Sequence, residues 1–279
     1  MDTNTRASIT SFKWLMNTDG PETYEQYIVP TWMTDWTPEL IKAGSIGPDT
    51  RVLDVACGTG IVARMAAEIS GQNGRFFGID INDGMLRLAR RTTAEKGVKC
   101  GFYLGNATRM PFSSGVFDTV LCQQGLQFFP DRSAALQEMN RVLTPEGTLA
   151  ISVWGRAEKS PHVGAICEAF TKYLGEDSTT MFRVACSLSN PHLLQRLVED
   201  AGFSNIQIRT GVKTARHPSL AEFLPAYFSI FPVAAQITAM AEDDRTRMFR
   251  SIESALGPWK ENEGIAVPTE NCILTAVKR

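Results

Sequence analysis

The sequence has six cysteines but no CxxC pair and no cysteine–histidine cluster at zinc-ligand spacing. That argues against a structural metal and for unpaired thiols in a reducing compartment. No run approaches the roughly 18 apolar residues a membrane span needs, and the opening MDTNTRASITSFKW lacks the apolar stretch of a secretory leader, so a cytoplasmic protein is expected. Basic residues are neither abundant nor clustered: 28 Lys and Arg stand against 30 Asp and Glu, for a net charge of −2. The electrostatic footprint of a nucleic-acid binder is therefore missing. Internal repeats and low-complexity tracts are absent too. What remains is a chain of 279 residues, 43% hydrophobic, long enough to bury a substantial core. A single domain over 1–279, with an insertion, is the expectation.

From Arg51 to Val153 short β-branched or aromatic runs alternate with helical patterns, the rhythm of a parallel sheet built from βαβ units. Strands are predicted at Arg51–Ala56, Arg75–Ile81, Lys99–Leu104, Thr119–Gln123 and Thr148–Trp154. Ile61–Ile69 reads as a helix stopped by Gly71, and Asp83 as the cap of a second helix through Arg91. A third is expected from about Ser133 to Leu143, where Ala135, Met139, Val142 and Leu143 share a face; Thr144-Pro145-Glu146-Gly147 then turns into the fifth strand. Asn190-Pro191 starts another helix, with Leu194, Leu197, Val198 and Ala201 as its buried stripe and Gly202 as its stop. Later strands are expected near Ile206–Thr214 and Cys272–Val277.

The sharpest signal is Val52-Leu53-Asp54-Val55-Ala56-Cys57-Gly58-Thr59-Gly60, a strand running into a glycine turn and then a helix. Gly58 and Gly60 let the backbone approach a ligand closely. Asp54, near the carboxyl end of the first strand, is placed where ligands collect in open α/β sheets and can hold a cationic amino group directly or through water. Asp80 ends the second strand, where an acid can accept both hydroxyls of a ribose. Asn106, after the third, offers a side-chain carbonyl to an exocyclic amine, with Ile81 and Met85 flanking the ring. Cys57 reads as a small filler of a tight loop, with no base beside it.

Together DVACGTG, GIDI with NDGML, GNATRMPF, FDTVLCQQGLQFFPD and EMNRVLTPEGTLAISVW resemble the ordered motifs of class I S-adenosylmethionine (SAM)-dependent methyltransferases. The similarity is to the small-molecule group typified by the ubiquinone/menaquinone-biosynthesis C-methyltransferases. It covers Arg51 to Trp154 strongly and the last two strands weakly. The resemblance implies a seven-stranded doubly wound sheet ordered 3-2-1-4-5-7-6, the last strand antiparallel, with S-adenosylhomocysteine as product. By position it implies Asp54, Ala56, Gly58 and Gly60 around the methionine moiety and Asp80 on the ribose. Ile81, Asn106 and Ala107 would lie at adenine, and Cys122 and Gln123 near the amino acid tail. Asn106 stands where many relatives carry Asp, and Gln127 and Phe128 where the quinone enzymes often show a His pair.

Two other classes stay open. Gly58-x-Gly60-x-x-Ala63 satisfies the dinucleotide fingerprint, with Asp80 twenty residues after Gly60, so an NAD-dependent oxidoreductase is the runner-up. Against it, Asp54 precedes Gly58 by four positions and would face an anionic pyrophosphate. A protein that binds SAM without transferring its methyl group is the third.

Outside the core of residues 46–160, residues 1–45 are rich in aromatics (Phe12, Trp14, Tyr24, Tyr27, Trp32, Trp36), and residues 218–258 read as two or three helices. Both segments can reach the carboxyl edge of the sheet as a cap. The expected partner is a small apolar or aromatic acceptor, enclosed by Tyr24, Tyr27, Trp32, Gln127, Phe128, Trp154, Tyr227, Phe228 and Phe231. No general base is assigned; Gln127, His162 and His217 are the candidates, each with a structural reading beside it.

Overall fold

The computed structural model describes residues 20–70, 75–262 and 264–279. Its sheet takes the order β3-β2-β1-β4-β5-β8-β6. The strands are β1 (Arg51–Val55), β2 (Arg75–Asp80), β3 (Cys100–Leu104), β4 (Phe117–Gln123), β5 (Leu143–Trp154), β6 (Phe203–His217), a two-residue β7 (Lys260–Glu261) paired only with β8, and β8 (Gly264–Lys278). Pairs within β1–β5 are parallel, and β8 lies antiparallel between β5 and β6. With the short β7 set aside, this is the expected order.

Strands covered on both faces carry apolar residues at successive positions. On one face Leu53, Val55, Val120, Leu149, Ile151 and Val153 pack against Leu136, Met139 and Val142 of the helix Arg132–Val142, and against Leu194 and Val198 of the helix Pro191–Asp200. On the other, Val52, Leu121, Ala150 and Ile273 meet Leu40 and Ile41 of the helix Thr37–Ala43, Val62 and Ala66 of Ile61–Ser70, and Leu86 and Ala89 of Asp83–Glu95.

Several boundaries differ from expectation. The cap of the Asp83–Glu95 helix is Asn82, whose side chain accepts from Met85 N at 3.2 Å; Asp83 instead pairs with Arg87 one turn on. Thr144–Gly147 is absorbed into β5, the turn surviving as a left-handed Glu146 and a register shift against β4. The antiparallel pair is far longer than expected, because Lys213–His217 and Ile265–Thr269 continue pairing beyond the sheet as a two-stranded ribbon. Gly71, Phe12 and Trp14 lie outside the described residues.

The added segments form a third hydrophobic cluster. A π-helix, Tyr24–Met33, contributes Ile28, Trp32 and Met33, and carries Pro30 within it. The helix Pro161–Leu174 contributes Ile166 and Phe170, and the insertion between β6 and β7 forms the helices Leu220–Ser229, Ala234–Ala239 and Glu242–Ala255. Among the described residues no helix is long and apolar enough to cross a membrane, and no group of three or more metal-ligating side chains is found.

The ribbon depends on Gly264, where an added Cβ would fall 1.9 Å from the His217 carbonyl oxygen and 2.7 Å from the Pro218 carbonyl carbon. Backbone cannot yield as a flexible side chain does, so Gly264→Ala is expected to lower stability by about 1–3 kcal/mol. Urea denaturation of the two proteins checks it.

Candidate active site

The strand that begins with Arg51 ends in a turn whose backbone reverses hand repeatedly. Ala56, Gly58 and Gly60 have φ of 60°, 52° and 83°. Ala56 is strained there, whereas the glycines are not. Space is equally tight: a Cβ on Gly60 would meet Phe102 Cζ at 3.2 Å, and one on Gly125, after β4, would meet Ala56 Cβ at 2.8 Å. Asp80 secures the turn from the neighbouring strand. Its Oδ2 accepts from Gly58 N at 2.9 Å and its Oδ1 from Asn82 N at 2.8 Å, and the Ile81 backbone N–H also bonds the carboxylate, so part of its acceptor capacity is already used.

Asp54 is 2% exposed, and neither carboxylate oxygen has a hydrogen-bond partner among the described residues. Burial first, and the charge of Asp80 second, push its carboxyl well above the usual range. Burial also raises Asp80, against the backbone N–H bonds that lower it. Two acids, one of them orphaned, make a site that a cation would satisfy. Cys57 packs beneath the turn with its thiol pushed up by burial and then by the two acids, and burial with the charge of Asp54 pushes Cys122 up to about 12. Neither is a thiolate at neutral pH.

A cavity of about 540 Å³ opens along the carboxyl edge of the sheet. At its polar end stand Ala56, Gly58, Asp80, Ile81, Met85, Asn106 and Ala107. Ile81 is 66% exposed, an apolar surface at the cavity mouth, while Met85 is buried. Asn106 Oδ1 accepts from Thr108 N at 2.9 Å, so its turn-forming role is realised with one lone pair left over. The other end is aromatic and is walled by Trp32, Phe128, Trp154, Tyr227 and Phe231. Tyr24 stands nearer the glycine turn, where a Cβ on Gly58 would lie 3.9 Å from its ring.

Eight expected residues are not on the cavity wall: Asp54, Cys57 and Gly60 behind the turn, Cys122 inside β4, and Tyr27, Gln127, His217 and Phe228. Gln127 is fully buried one layer back, its Nε2 donating to Gln124 Oε1 at 3.0 Å. His217 sits on the ribbon with Nδ1 2.9 Å from the Ser219 carbonyl oxygen, stacked near Tyr27 and Phe223. Phe228 faces Phe170 and Phe249 in the cap core. His162 does line the cavity, stacked on Trp32 at 4.4 Å between ring centres. Burial pushes its imidazole down to about 3, so it is neutral at physiological pH and a weak base.

The structure adds residues the sequence did not single out. Gln124 lines the cavity in a left-handed conformation, φ 54°, and its Nε2 is buried without a partner among the described residues. Gln123, expected near the amino acid tail, also lines the cavity, and its side chain ties the strand end to the cap, Nε2 donating to the Met33 carbonyl at 3.1 Å and Oε1 accepting from Thr37 Oγ1 at 3.0 Å.

Residues 46–202 match the family model described as a methyltransferase domain. The chain belongs to this methyltransferase family. It is similar to the ubiquinone/menaquinone biosynthesis C-methyltransferase UbiE of Paraburkholderia phymatum, 36% identical over 129 residues, 45% of this chain and 53% of that protein. The UbiE protein of Cupriavidus necator is 32% identical over 183 residues, 62% of this chain and 74% of its own length. The chain thus spans about half the length of the first of these relatives. Among solved structures, phosphoethanolamine N-methyltransferase 2 of Haemonchus contortus, bound to S-adenosyl-L-methionine, superposes with a TM-score of 0.60 at 18% identity. That match covers 98% of this chain and 60% of the other, and it shows a shared fold. The dinucleotide reading of the glycine turn yields to the family: this is the methyltransferase variant of the sheet.

The orphaned acid has a measurable signature in the ligand-free protein. A carboxyl whose folded pKa is raised binds its proton more tightly folded than unfolded, so stability is lost as pH rises through the folded pKa. Asp54→Asn removes that penalty, and the variant is expected to be about 1–3 kcal/mol more stable than wild type at neutral pH, with the gap closing toward acid. Thermal denaturation across the pH range, without cofactor, checks it.

Proposed function

We propose that this chain transfers the methyl group of SAM to a small apolar or aromatic acceptor held in the aromatic end of the cavity. The observation that carries the reading is the continuity of one cavity from Asp80 and the glycine turn to Trp32, Phe128, Tyr227 and Phe231. The residues fit the cofactor: Asp80 on the wall retains acceptor capacity for a ribose hydroxyl, the unpartnered Asp54 behind the turn would meet an ammonium group through a bridging water, and Ile81 with Met85 gives a ring apolar flanks. When bound, SAM supplies an electrophilic methyl group for in-line displacement.

The chain's own part is to bind, align and keep dry. Gly58 and Gly60 would let the backbone close on the amino acid end, and the aromatic wall would hold the acceptor beside the bound cofactor, so that transfer becomes effectively unimolecular. Asp80 is the one charged residue on the described wall. The rest therefore excludes water from the reacting pair and offers no strong base. His162, neutral and stacked on Trp32, serves recognition of the acceptor rather than proton removal at neutral pH. In this reading the chain is one catalytic unit, with residues 46–160 as cofactor core and the segments 20–45 and 218–258 as its cap.

Asp80→Ala is expected to weaken binding of S-adenosylhomocysteine by about 1–3 kcal/mol through lost charge-assisted bonds. Equal affinity by calorimetry would refute the ribose assignment. Incubation of wild type with SAM and a panel of neutral aromatic acceptors should release S-adenosylhomocysteine. Tight binding without release across the panel would favour a protein that holds SAM without transfer. Tyr227→Ala should raise the KM of an accepted substrate several-fold while leaving cofactor affinity unchanged.

A further inference from the structure

Arg64 sits on the helix that follows the glycine turn, yet its side chain is only 8% exposed. One guanidinium nitrogen donates to the Thr59 carbonyl at 2.5 Å and to Thr92 Oγ1 at 2.8 Å. The other donates to Glu25 Oε1 at 2.5 Å. Thr59 is the residue between Gly58 and Gly60, so the guanidinium grips the turn at the peptide between its two left-handed glycines. Glu25 belongs to the Tyr24–Met33 helix, which places Ile28, Trp32 and Met33 along the cavity. One arginine thus holds both the turn and the cap helix.

The pair is costly to keep. Glu25 Oε2 is buried with no partner among the described residues, and ion pairs taken out of water return little net stability. What such a pair does well is fix a register. The register here places Tyr24, next to Glu25, on the cavity wall against Gly58. Its phenol is pushed far up by burial, then by the charges of Asp80, Glu25 and Asp54.

We propose that Glu25 and Arg64 are positioning residues that register the Tyr24–Met33 helix on the glycine turn, so that Tyr24 forms the partition between the cofactor's amino acid end and the acceptor chamber. The inference rests on the methyltransferase reading of the cavity. The clamp passes position in both directions: a turn that shifts moves the cap helix, and a cap helix that lifts releases the turn. Neither residue touches the reacting atoms.

Glu25→Gln keeps shape and removes the charge. It is expected to weaken S-adenosylhomocysteine binding on the order of tenfold by calorimetry, the scale of a charge-assisted bond. Amide hydrogen exchange should quicken in residues 20–33 while β1 and β4 stay protected, which separates loss of register from loss of fold. Unchanged affinity together with unchanged exchange would overturn the clamp. The reversed pair, E25R with R64E, should restore protection of the helix but not affinity, because a carboxylate at position 64 cannot donate to the Thr59 carbonyl. Recovery of both would overturn the contact to the turn. A wild-type protein that binds no S-adenosylhomocysteine would refute the methyltransferase reading itself, and the exchange experiment would still decide the clamp.

Discussion

A carboxylate sealed from water without a counter-charge is the constraint around which this molecule is arranged. Asp54 could have been screened by a lysine or arginine, yet neither of its oxygens has a partner among the described residues, and Asp80 lies close enough to raise it further. Burying such a group is unfavourable, and the surrounding packing of β1, β2 and β4 must offset it. A protein that carries this cost in its resting state gains from any cation that reaches the acid. Under the proposed function, that cost would be relieved when a ligand's ammonium group came within reach of Asp54.

The left-handed turn belongs to the same arrangement. Ala56 accepts a conformation that costs a non-glycine residue about 1–3 kcal/mol, and it is held there because Gly125 lets the loop after β4 press within contact of its side chain. Asp80 then ties Gly58 from the second strand, and Arg64 ties Thr59 from the following helix. Three anchors from three elements converge on five residues. Such a turn is rigid before any ligand comes, which keeps the ordering cost of binding low.

How much of this was legible in the sequence depended on whether a residue's role was local. The first five strands read clearly as short apolar runs bounded by glycine, and their order followed from the motif resemblance. The outer ends of the long strands, Ala215–His217 and Gly264–Asn271, did not, because Arg216, Pro268 and Glu270 break the apolar runs and their pairing is with each other instead of with the central strands. Asn82 and Asp83 are equally competent caps by composition; the extended backbone at Asn82 decided between them. Spacing located Asp54 along its strand but could not show that the turn would cover it. Tyr227 and Phe228 adjoin in sequence and part company in space, since neighbours on a helix point about 100° apart, so one faces the cavity and the other the cap core. Gln124 had no readable signal at all, because a left-handed glutamine is imposed by its surroundings.

The ribbon formed by the far ends of β6 and β8 has a consequence for how this protein could diversify. The helices between Leu220 and Ala255 hang from two adjacent strand ends, so their entry and exit lie side by side and outside the sheet's hydrogen-bond ladder. A segment entered and left at one place can vary in length without altering the sheet's pairing, but Phe223, Tyr227, Phe228 and Met248 share one core with Ile28, Trp32 and Phe170, so a change of the pocket wall there must be matched across that core.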